Sequence, residues 1–142
     1  MKAILIQKIS ERPVAHGNTY IEYGLTEINV DGLQDMQKAV DGTLECWDYL
    51  RRLYENGIIL YCNDEGKIQK LTPSVIVVNS EGETVEMICG NVLLVGYDFE
   101  EDHSVSLTDE QIKIIGEVFQ EAIISIEKNI IKLFAAEIEQ GG

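Results

Sequence analysis

The sequence predicts an α+β fold: a small mixed or antiparallel sheet, one short helix and a long C-terminal helix. Three observations predict it. Several short apolar runs are bounded by turn residues, one stretch has helical spacing, and a proline-free segment follows a capping box near the C-terminus. A chain of 142 residues suits one domain. Such a domain buries about two-thirds of the surface its unfolded chain exposes, so it needs neither a disulfide nor a structural metal. Residues 1–107 are expected to form the core, and residues 108–142 a helix that packs on it and on another subunit.

Lys2 to Ile9 alternates as a strand. Arg12 to Asn18, with Pro13 and Gly17, is a loop. Tyr20 to Val30 carries β-compatible residues interrupted by Gly24. Asp31 is placed to cap a helix of about three turns, with Leu33, Met36, Gln37 and Val40 at helical spacing and Gly42 as the stop. Thr43 to Tyr49 reads equally as strand or helix, and Asp48 to Glu55 as a short helix stopped by Gly57. Ile58 to Cys62 is a strand. Asn63-Asp64-Glu65-Gly66 signals a turn from which Lys67 to Leu71 returns as the hairpin partner. Val75–Val78 and Thr84–Ile88 flank a second hairpin signal at Ser80–Glu83. Asn91 to Tyr97 is a buried-type strand, and Asp98 to Ser104 an acidic loop.

Thr108 and Gln111 form a capping box. No proline occurs from there to Glu139, and Gly116 is the only glycine, which predicts a helix of about eight turns. Ile112, Ile115, Phe119, Ala122, Ile126, Ile130 and Leu133 mark one face. Ile123, Ile131, Phe134 and Ile138 lie beside them. That face is wider than one core stripe, so the helix either crosses a broad sheet or also packs on a second copy. The Gly141-Gly142 end is expected to fray.

The net charge is −14, from 25 acidic and 11 basic residues. Duplex nucleic acid is excluded as a partner, because its binding rests on basic side chains neutralising phosphates. The acidic field serves solubility, or it imitates a polyanion and occupies a nucleic-acid-binding protein. Cys46, Cys62 and Cys89 show no CxxC spacing and sit in apolar runs. Buried thiols in a reducing compartment fit them better than disulfides or a zinc site. Met1 to Gln7 lacks a full signal-peptide core, and no apolar window approaches a membrane span.

The densest candidate site is Trp47, Tyr49, Arg51, Arg52 and Tyr54, with Lys67 and Lys70 joining if the hairpin folds back. Aromatic faces stack on bases and guanidinium groups fork onto phosphates, so this grouping suits a small nucleotide. It also suits a core tryptophan with arginines paired to Asp48 and Glu55. Asp98–His103 lacks the ligand order and central glycine of a calcium loop. His16 and His103 belong to no recognisable triad, and no nucleophile, GxGxxG or Walker motif occurs. No catalytic residue, metal or cofactor is therefore expected, though a phosphodiesterase-like activity stays open.

Four blocks in order carry a resemblance: Gly32–Glu45, Ile59–Lys67, Ile88–Gly96 and Ser106–Glu110. Across about Val30 to Gln111 the chain resembles a family found mostly in phages and other bacterial mobile elements, the domain of unknown function 3846. The Asn63-Asp64-Glu65-Gly66 turn and the Gly90-x-x-x-x-x-Gly96 strand are its most specific parts. Asp48 to Asn56 is longer than the family's usual connection, and the C-terminal segment runs past the family match. The resemblance brings no catalytic residues. It implies a phage accessory role in the cytoplasm of the host cell. The leading expectation is a non-catalytic homo-oligomer that sequesters a small nucleotide-type immune signal. The alternative is an acidic DNA mimic or protein-interaction inhibitor of a host restriction or defence enzyme.

Overall fold

Residues 1–138 are described by the computed structural model. Two long strands, β1 (Lys2–Pro13) and β2 (Thr19–Asn29), form an antiparallel hairpin joined by a 3-10 turn at Ala15–Gly17. There follow α1 (Gly32–Val40), β3 (Leu44–Cys46), α2 (Arg51–Glu55) and β4 (Ile58–Asn63). Next come β5 (Pro73–Val78), β6 (Thr84–Cys89), β7 (Val92–Asp98) and β8 (His103–Val105). Last among the described residues come α3 (Asp109–Val118), β9 (Gln120–Ile126) and β10 (Asn129–Glu137).

The strands make one sheet in the order β3-β4-β7-β1-β2-β10-β5-β6, with β8 added to β7 and β9 to β10. The sheet curls into a half-barrel. β10 joins its two arms: Asn129–Lys132 runs parallel to Thr19–Glu22 of β2, and Phe134–Glu137 runs parallel to Val75–Val78 of β5. β9 pairs antiparallel to β10 from Asn129 to Ala135. Among the described residues the path does not close, because β3 pairs only with β4 and β6 only with β5.

The central strands bury both faces, which is why their sequences are nearly continuous apolar runs. Ile4, Ile6, Leu60, Val92 and Leu94 point into the curl, where Leu53 of α2, Ile115 of α3 and Phe119 meet them. Ala3, Leu5, Ile59, Leu93 and Val95 point outward under Met36 and Val40 of α1. Each such aliphatic side chain contributes about 1.5–3 kcal/mol through burial.

The expected α+β architecture with a long C-terminal helix is not what forms. The protein is mostly β, with 51% strand and 20% helix. The Thr108 capping box is present, Thr108 Oγ1 accepting from Gln111 N–H, but the helix it opens ends at Val118. Beyond it, Ala122, Ile124, Leu133 and Ile131 face the core at a period of two. Isoleucine-rich, β-branched sequence favours the extended chain. The wide apolar face read as a helix surface is two adjacent strands. Their turn is Glu127-Lys128, with Glu127 at φ 54°, a position where no glycine or asparagine advertised a hairpin. The unit expected at 108–142 is thus no appended helix but supplies strands to the sheet. Glu139 and the Gly141-Gly142 end lie outside the described residues.

The hairpin expected at Asn63–Gly66 is corrected too. Residues 64–70 form a turn rather than a returning strand, and β5 pairs with β6 and β10 instead of β4. The β5–β6 hairpin forms as expected, with Val75 opposite Ile88.

Candidate functional site

Because the half-barrel stops short of closure, its two terminal strands leave a seam. β3 and β4 bound one side, β6 the other, and the 64–70 turn caps one end. A cavity of about 130 Å³ sits there, lined by Glu45, Trp47, Asp64, Lys67, Glu86 and Met87 among others. It continues into a groove of about 530 Å³ that shares Glu45, Trp47 and Glu86 and adds Asp48, Tyr49 and Val85. The single tryptophan therefore stands where the two meet.

Asn63 anchors the turn. It is only 5% exposed. Its Nδ2 donates to the Asp41 carbonyl at 3.0 Å, where α1 ends, and its Oδ1 accepts from Glu65 N–H at 2.8 Å. Gly66 then packs against β6 so closely that a Cβ there would lie 2.5 Å from the Cys89 carbonyl oxygen. At Gly96 a Cβ would meet the Val105 carbonyl oxygen at 2.8 Å. Close backbone approach is the reason for both residues.

The Lys67 ammonium donates to the Glu86 carboxylate across the seam and forms an ion pair with it. That hydrogen bond, followed by the one from Met87 N–H, holds Glu86 below the usual glutamate range. The same contact raises Lys67. The cavity's charged lining is thus three carboxylates, Glu45, Asp64 and Glu86, against one ammonium.

The seven residues expected to form one nucleotide pocket are distributed over four places. Trp47 and Tyr49 pack edge to face at 5.0 Å between ring centroids, and both line the seam groove. Lys67 reaches the same seam. Arg51 and Arg52 line a separate cavity of about 490 Å³ with Glu117 and Glu137. Arg51 Nε donates to Glu55 at 2.5 Å, and Arg52 pairs with Glu117 of α3. Tyr54 packs on Phe99, 5.0 Å away. Lys70 lines a further cavity with Lys8, Tyr23 and Asp41.

Residue-by-residue reading missed Glu45, Asp64, Glu86 and Met87 as lining residues, since curling of the sheet brings β6 to β3. It also missed where the thiols lie. Cys62 and Cys89 both line the cavity, while Cys46 is exposed on β3 rather than buried. Burial pushes the Cys62 thiol up to about 12, and raises Cys89 and Cys46 as well. Among the described residues no group of three or more His, Cys, Asp or Glu could hold a metal ion, and no helix is long and apolar enough to cross a membrane.

Fold and site together define a curled β-sheet protein with an acidic seam. Residues 12–120 match the model of the domain of unknown function 3846. The chain belongs to that family. The match covers the seam, the Asn63–Gly66 turn and Gly96, and it ends at the first residue of β9. No curated protein and no solved structure matches the chain.

Proposed function

We propose that the chain is a non-catalytic binding module whose seam takes an extended, basic segment of a partner protein. The observation that carries this reading is the seam itself: two strand edges without a strand partner among the described residues, beside a groove whose charged lining residues are mainly carboxylates. An extended segment laid along β6 or β3 gains main-chain hydrogen bonds from the edge, and alternate side chains give specificity. Basic side chains meet Glu45, Asp48 and Glu86, where an arginine competes with Lys67. Apolar ones cover Trp47, Tyr49 and Val85. The −14 charge steers a basic partner toward the groove. The mobile-element resemblance makes a nucleic-acid-handling host enzyme in the cytoplasm the fitting class of partner, occupied through its basic site.

A second reading, sequestration of a small nucleotide, is favoured by one observation: the Trp47–Tyr49 aromatic pair beside Lys67 offers a stacking surface and a cation. Against it stands the carboxylate majority around that lysine.

Trp47 emission reports on both. The protein is titrated with a peptide alternating arginine and valine, with a proline-interrupted peptide of equal charge, and with cyclic and linear nucleotides. The reading expects saturable change with the alternating peptide, weaker binding of the interrupted one, and loss of binding in Glu45→Lys and Glu86→Lys. It fails if no basic peptide alters the emission, or if both variants bind like the parent. Saturable response to a nucleotide alone establishes the second reading.

A further inference from the structure

β9 pairs with β10 on one side only, and no described strand lies on its other side. Natural edge strands are blunted by charged side chains, lysine above all, by proline, bulges or brevity. β9 has no lysine, proline or bulge, and its one charge, Glu121, is paired with Lys132 of β10. It is seven residues long, reads QEAIISI and pairs with β10 without a register shift. Ile123 at its centre is 66% exposed.

We infer that β9 pairs antiparallel with β9 of a second copy, about a two-fold axis at Ile123. The sequence is self-complementary in that register. Ile123 falls opposite Ile123, Glu121 opposite Ser125, Ala122 opposite Ile124 and Gln120 opposite Ile126. This register alone pairs the whole strand. It keeps the two Glu121 carboxylates apart and gives each one a hydroxyl donor. A register centred two residues earlier would set Glu121 against Glu121, and like charges directly opposite destabilise a ladder.

The main-chain geometry agrees. Ile126 and Asn129 close the two-residue turn, so the bonded positions on the β10 side are Ile126, Ile124, Ala122 and Gln120. The N–H and C=O groups of Ser125, Ile123 and Glu121 therefore point to the open edge, which puts a bonded pair on the axis. β9 also lies almost wholly beyond the stretch shared with the family. Pairing through β9 does not depend on what the seam binds.

Sedimentation equilibrium of the full chain tests it. The expected result is a concentration-dependent mass of twice 15.9 kDa. Two copies of charge −14 repel, so added salt strengthens the dimer while it weakens binding of a basic segment at the seam. Ile123→Lys and Ser125→Pro each yield a monomer, and the exposed side chain of Ile123 leaves the fold of the first variant intact. In a Cys46→Ser background, oxidation of Ile123→Cys gives a dimer linked through residue 123, because bonded antiparallel pairs place Cα atoms about 5.5 Å apart, within disulfide range. A strict monomer at high micromolar concentration and high salt overturns the inference. So does a dimer unaffected by Ile123→Lys.

Discussion

Replacing Asn63 by alanine removes the side chain that ties the end of α1 to the 64–70 turn. Two well-formed hydrogen bonds go, to the Asp41 carbonyl at 3.0 Å and from Glu65 N–H at 2.8 Å. Each is worth about 1 kcal/mol net, and a main-chain group left without a partner adds about 1 kcal/mol or more. The sum is about 3 kcal/mol. For a chain of this size that corresponds to a fall in Tm of about 10 °C. Urea melts should show the loss as a lower midpoint with an unchanged slope, since the unfolded chain exposes the same surface. Asn63→Asp keeps an acceptor for Glu65 N–H but sets a carboxylate against the Asp41 carbonyl, so it should lose at least as much at neutral pH. If both variants melt within about 2 °C of the parent, the side chain is not what holds the turn.

Gly66→Ala forces a Cβ within 2.5 Å of the Cys89 carbonyl oxygen. It should cost about 1–3 kcal/mol and move the turn away from β6, visible in melts and in altered Trp47 emission. Cys62 makes stability pH-dependent on the alkaline side. Its thiol rises from 9.0 to about 12 on folding, so above the lower value the unfolded chain loses a proton that the folded chain keeps. Its contribution is complete below pH 9.0 and fades toward about 12. Cys62→Ala should flatten that part of the stability profile. In the native protein Cys46 should label first with a thiol reagent, and Cys62 last.

Much of the sheet is legible in the chain because local chemistry sets it. The runs at Lys2–Ile9 and Asn91–Tyr97 are apolar on both faces, and Ser80–Glu83 carries turn residues between two strands. The hairpin of β9 and β10 was not legible. Its isoleucines satisfy both a period of 3.6 and a period of two, and Glu127-Lys128 carries no turn signal, so tertiary pairing with β2 and β5 decides for strand. The site was half legible for a similar reason. Trp47, Tyr49 and Lys67 stand out by residue type in an acidic chain, and the curl of the sheet does place all three at the seam. Arg51 and Arg52 stand out equally, but α2 turns them toward Glu55 and Glu117. Glu45 and Glu86 look like solvated strand residues until β6 is brought to β3, a long-range event that no local pattern records.

Amide hydrogen exchange with and without the arginine–valine peptide tests the central claim most directly. The account predicts that added peptide slows exchange along the edges of β3 (Leu44–Cys46) and β6 (Thr84–Cys89) and leaves β9 unchanged. Slowing confined to the Arg51–Arg52 cavity, or no slowing at either seam strand while the peptide is bound, would contradict it.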